Sequence, residues 1–111
     1  MEYKIGICHE DYHYVVNLME YVNSTRDLGV ILVAFSSMAA MSEYLDSNYL
    51  DGVLVGRENK LQEGFYEEYE NLTVMLLSET KENESGCIYK YQSAGGIIRE
   101  ILKRLNVGLK P

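Results

Sequence analysis

Proline is almost absent from this chain: among 111 residues it occurs once, at the last position. Turns must therefore be made by glycine and short polar side chains, and no helix or strand interior is broken by a missing N–H. Tryptophan is missing, and cysteine is represented only by Cys8 and Cys87. Two cysteines cannot form a disulfide framework, and reduced, buried thiols are the expectation. Long apolar runs are missing too. The longest, Val30 to Phe35, is far below the ~20 residues of a membrane span, so no membrane insertion is expected. No basic n-region, apolar h-region and cleavage site open the sequence, which makes a cytoplasmic protein the expectation. Positive charge is scarce: 10 Lys and Arg stand against 17 Asp and Glu, a formal net charge of -7. Such a balance argues against nucleic acid as a partner, because phosphate binding needs a basic face. The one basic group, Arg99, Lys103 and Arg104, suits the dipole near a helix C-terminus.

What is present is a single globular domain of ordinary size, with 47% hydrophobic and 24% charged residues. Lys4 to Cys8 reads as a strand. Asp11 can cap a helix to about Thr25, with Val15, Leu18, Met19 and Val22 as its apolar stripe, and Gly29 ends that unit. Val30 to Phe35 is continuously apolar, as a strand buried on both faces of a parallel sheet should be. Ser36 or Ser37 caps a second helix, with Met38, Met41 and Leu45 inward, ending near Asn48. Asp51 to Val55 is the third strand, and Lys60 to Glu70 a third helix. Leu72 to Leu77 and Ile88 to Tyr91 are the fourth and fifth strands. Ser93 caps a last helix that buries Ile97, Ile98, Ile101, Leu102 and Leu105.

Strands alternating with helices imply right-handed crossovers and a parallel sheet covered on both faces. The fold class expected is α/β, a three-layer flavodoxin-like domain with a five-stranded parallel sheet of order 2-1-3-4-5. Between Ser78 and Ile88 the interval is short and polar throughout. It is too short for a crossover with a proper helix, so the fourth helix is expected to be missing or reduced. The domain is expected to span residues 1–106, with 107–111 as a tail or the start of a linker.

Three stretches carry a family resemblance: Lys4-Ile-Gly-Ile-Cys-His-Glu-Asp at the first strand, Leu76-Leu-Ser-Glu at the fourth, and Ile88 to Leu102 at the fifth strand and last helix. Over about residues 3 to 105 the chain resembles response-regulator receiver domains. Within them it looks like the atypical receiver at the N-terminus of TadZ/CpaE-type pilus-assembly proteins. That resemblance implies a CheY-like fold and places the receiver pocket on His9, Glu10 and Asp11 after the first strand, Gly56 at the acceptor position, Ser78 at the switch hydroxyl and Lys90 at the phosphate-contacting lysine. In the family the domain usually precedes a P-loop ATPase, but no G-x-x-x-x-G-K-[ST] occurs in these 111 residues. Gly56 has no oxygen to take a phosphoryl group, and a metal site needs several oxygens, so the pocket is degenerate and no cofactor, metal or catalytic residue is expected.

His9, Glu10, Asp11 and His13 match no strong zinc spacing and read as solvated residues at a strand end. Ser78 and Lys90 read as vestigial or structural, with Glu10 as the expected partner of Lys90. Cys8 before a strand-to-helix turn is a poor nucleophile candidate, because Glu10 and Asp11 would repel an anionic substrate. Ten of the twelve aromatics are tyrosine, and tyrosine is enriched at interfaces. Tyr89 and Tyr91 bracket Lys90 beside the trimmed crossover, and with Ile98 and Leu102 they are the candidate contacts. Two function classes follow. One is a non-enzymatic pseudo-receiver that forms a homodimer or docks on protein partners of a secretion or pilus machinery. The other is a signalling receiver or small flavodoxin-like enzyme using an unconventional group such as Asp51, Glu58 or Cys8.

Overall fold

The computed structural model describes residues 3–25, 28–56, 72–79 and 87–109. Five strands, β1 (Tyr3–Cys8), β2 (Val30–Phe35), β3 (Gly52–Gly56), β4 (Thr73–Ser78) and β5 (Cys87–Tyr89), form one sheet with helices α1 (Tyr12–Ser24), α2 (Met38–Leu45) and α3 (Ala94–Leu109) against it. The sheet order is β2-β1-β3-β4-β5, and every pairing is parallel. This is the CheY-like flavodoxin topology that the alternation of apolar segments implied. The helix expected over 60–70 and the stretch on which the missing fourth helix rests lie outside the described residues.

The period of two along each strand divides the core between the faces of the sheet. Ile5, Ile7, Leu54, Met75 and Leu77 meet Val15, Leu18 and Val22 of α1 and Ile97 and Ile101 of α3 in one cluster. Cys8, Val53, Val55 and Phe35 meet Met41 and Leu50 in the other, with Met38 and Leu45 packed against it. Gly6 leaves room for its neighbours: a Cβ there would lie 2.8 Å from Leu50 Cδ1 and 3.0 Å from Phe35 Cε2, so a larger residue would have to push those side chains aside. Gly29 turns the chain into β2 with a φ of 80°, a backbone conformation that favours glycine.

Local chemistry sets the element ends. Asp11 caps α1, its Oδ1 accepting from Tyr14 N at 3.1 Å, and Ser37 caps α2, its hydroxyl accepting from Ala40 N at 3.1 Å. The second helix stops at Leu45, short of the expected Asn48. There the Asp46 N–H is shared between the carbonyls of Ser42 and Glu43, and the Asn48 amide donates to the Tyr44 carbonyl at 3.1 Å. The third strand begins one residue later than expected, since Asp51 precedes it. Asp51 Oδ2 accepts from Lys4 N at 2.7 Å, and its own N–H donates to the Lys4 carbonyl at 2.8 Å. The fifth strand ends at Tyr89, so Lys90 and Tyr91 stand in the turn that follows. That turn is closed by Gln92, whose Nε2 donates to the Tyr89 carbonyl at 2.9 Å.

Candidate functional site

In an open parallel sheet the carboxyl ends of the strands are where ligands bind. Here His9, Glu10 and Asp11 follow β1, Gly56 ends β3, Ser78 ends β4, and Lys90 follows β5. Register fixes them as neighbours: Cys8 lies beside Val55, Gly56 beside Leu77, and Ser78 beside Tyr89. The Lys90 N–H donates to the Ser78 carbonyl at 2.8 Å, extending the ladder by one bond.

Lys90 is the centre of the site. Its side chain is only 5% exposed, and its Nζ lies 3.8 Å from Glu79 Oε1 and 4.0 Å from Asp11 Oδ2. It also sits over two aromatic rings, 4.8 Å from the centroid of Tyr14 and 5.3 Å from that of Tyr91. A cation facing two carboxylates and two π faces is compensated after losing most of its water. The Tyr14 hydroxyl in turn donates to the Lys90 carbonyl at 3.3 Å. Burial first, and then the negative potential of Tyr91 and Asp11, pushes the Tyr14 phenol up to about 12. The expected pairing of Lys90 with Glu10 is therefore replaced. Glu10 precedes the helix cap and is exposed, while Asp11 and Glu79 take the ammonium.

His9 also departs from its expected place in solvent: it is 3% exposed. Its Nδ1 accepts from the Asp11 N–H at 3.0 Å, which places the imidazole proton on Nε2. Desolvation lowers its pKa most and Lys90 lowers it further, opposed by Glu10, Asp11 and Glu79. A histidine held neutral in the fold takes its proton more readily when unfolded, so stability is complete above the unfolded value of ~6.5 and is lost as pH falls below it. Between pH 6.5 and 5.5 the wild type should lose up to about 1 kcal/mol more than His9→Asn, which keeps an acceptor but does not titrate. Urea unfolding of both proteins at the two pH values checks this.

The remaining candidates separate clearly. Burial pushes the Cys8 thiol up, away from the thiolate that a nucleophile needs. Asp51 lies at the amino end of β3, engaged by Lys4 and by the Tyr49 hydroxyl, which donates to its Oδ1 at 2.9 Å. Glu58 lies outside the described residues. Ser78 is buried, and Gly56 is the last residue of its strand. Among the expected contacts, Tyr91 is 60% exposed and packs edge-on to the half-buried Tyr89, with ring centroids 5.9 Å apart. Leu102 is half-buried against the core. Ile98 is a correction: at 2% exposure it belongs to the core beneath α3 and offers no surface to a partner. Sequence reasoning missed Tyr14 and Glu79. Tyr14 stands three residues after the cap, in the first turn facing the strand ends, and Glu79 directly follows Ser78. Close to Lys90, an open groove of ≈ 260 Å³ runs between α1 and the start of α3, lined by Tyr14, Leu18, Tyr21, Ala94 and Ile97 with two carboxamides.

The fold is shared with solved receiver domains. The chain resembles the N-terminal domain of a response regulator/sensory box/GGDEF three-domain protein from Carboxydothermus hydrogenoformans (TM-score 0.74, 16% identity, 96% of each chain covered). It is similar to the signal receiver domain of an HD domain-containing protein from Pseudomonas fluorescens (TM-score 0.73, 13% identity, 96% of this chain and 88% of that one). The signal receiver domain of NarL from Mycobacterium tuberculosis matches as well (TM-score 0.69, 16% identity, 95% and 97%). No family model matches the chain, and no curated protein does. The fold is that of a response-regulator receiver domain.

Proposed function

We propose that this domain is a non-catalytic pseudo-receiver that works by protein-protein contact. It pairs with a second copy or docks on a protein partner, in the manner of the module that helps localise TadZ-like ATPases and their secretion or pilus machinery. The reading is carried by the occupation of the strand-end pocket by the chain's own charges: Lys90 faces Glu79 at 3.8 Å and Asp11 at 4.0 Å. Beside it β3 ends in Gly56, which has no oxygen for a phosphoryl group. A cation committed to two carboxylates leaves little attraction for an incoming phosphate. The same cation opposes a divalent metal at Asp11, since like charges in one pocket repel. What the site retains is an ordered strand-end surface with Tyr91 at its rim.

The experiment is incubation with acetyl phosphate and magnesium followed by intact-mass measurement. The expected result is an unchanged mass. A stoichiometric phosphoryl adduct, labile at alkaline pH, would overturn the reading.

A further inference from the structure

Among the described residues the sheet ends in two edge strands, β2 and β5. In a parallel ladder alternate residues turn their N–H and C=O toward the neighbouring strand, and those between turn away. On an edge strand the outward groups form a template for another chain. Leu32 is such a residue on β2. Its N–H donates to Asn23 Oδ1 at 2.9 Å, and its C=O accepts from Asn23 Nδ2 at 2.9 Å. One carboxamide, from the penultimate residue of α1, makes both bonds that a strand neighbour would make. The edge of β5 is treated alike, the Cys87 carbonyl accepting from Arg104 Nη2 at 2.8 Å and the Tyr89 carbonyl from Gln92 Nε2 at 2.9 Å.

The strand that Asn23 covers has no guard within its own sequence. Val30-Ile-Leu-Val-Ala-Phe35 is six apolar residues with no charge and no proline, and Ile31 is 37% exposed. Segments of this length and composition are those that pair edge to edge, and a lysine, a proline or a bulge is the usual safeguard. None of these is in β2. We propose that Asn23 is the guard of this edge: its carboxamide denies β2 to the β2 strand of a second copy of this chain, and so confines productive contacts to side-chain surfaces elsewhere.

Asn23→Ala removes both bonds at once. At about 50 µM protein, a concentration at which weak contacts form by mass action, the wild type should keep one discrete sedimentation coefficient and bind no thioflavin T. The variant should pass into larger, thioflavin-positive assemblies at least about tenfold faster, with faster amide exchange at Leu32 before assembly begins. Loss of stability alone can also cause aggregation. The deciding variant is therefore Asn23→Ala combined with Ile31→Lys, which places a charge on the edge without restoring the carboxamide. It should return the protein to its discrete size while the urea midpoint stays as low as in Asn23→Ala. If far-UV circular dichroism shows that Asn23→Ala does not fold, Asn23→Asp, which keeps the acceptor and loses the donor, is read in the same assay. The proposal is overturned if the folded variant assembles no faster than the wild type, or if the added lysine leaves assembly unchanged.

Discussion

Replacing Asp11 by asparagine and Glu79 by glutamine in one protein should lower its stability by about 2–3 kcal/mol. The two substitutions keep size and hydrogen-bonding capacity, and asparagine still caps α1 as aspartate does. What they remove is the counter-charge of an ammonium whose side chain is only 5% exposed. The cost of breaking a buried pair comes mostly from the charge left behind, and here that charge is Lys90. The separations of 3.8 and 4.0 Å and the two rings over the ammonium hold the figure below that of a tight, fully buried pair. In a Lys90→Met background the same two substitutions should cost less than about 1 kcal/mol, because both carboxylates are 53% exposed and stay hydrated without a partner. Urea unfolding of the four proteins closes a thermodynamic cycle whose coupling is the test. An equal cost in both backgrounds would mean that the carboxylates act on the ends of α1 and β4 alone, and that Lys90 is not held by them.

The parts of the molecule that were legible in the sequence are those that depend on one element at a time. The run Val30 to Phe35 is β2 to the residue, and Asp11 and Ser37 cap the helices they precede. The sheet order followed because parallel strands joined through helices admit few arrangements. The parts that were not legible depend on where two elements meet. Glu10 and Asp11 are adjacent in sequence, and only the entry angle of α1 decides which of them reaches Lys90. His9 is buried because its ring acts as an acceptor for the main chain, a role that leaves no spacing signal. The apolar stripe of α3 is wide enough to seem to serve both core and interface, yet Ile98 falls wholly on the core side. Asn23 reads as an ordinary polar residue at a helix end, and its meaning appears only once Leu32 is beside it.

Tyr91→Glu should convert a dimer of this domain to a monomer, weakening self-association by on the order of a hundredfold or more. Tyr91 is a large aromatic at the strand-end surface, at 60% exposure, and its ring is held in place by Tyr89 at 5.9 Å and by the Lys90 ammonium at 5.3 Å. A pre-ordered tyrosine loses little side-chain freedom on contact, which is why such residues dominate interfaces. The adjoining groove between α1 and α3 has no charged residue among those that line it. In a chain with a net charge of -7, an uncharged face is where two copies approach with least repulsion. A twofold contact presents the same patch from both sides, so one substitution places two carboxylates in the interface. Light scattering at micromolar concentration should show the mass halved, with an unchanged far-UV spectrum. Tyr91→Phe, which keeps the ring over Lys90, should leave the mass at that of the dimer. A wild-type protein already monomeric at ~100 µM, where even weak contacts form by mass action, would rule out pairing through this surface. The exposed Tyr91 would then be a contact for a different protein, and Tyr91→Glu would be read in the capture of that partner.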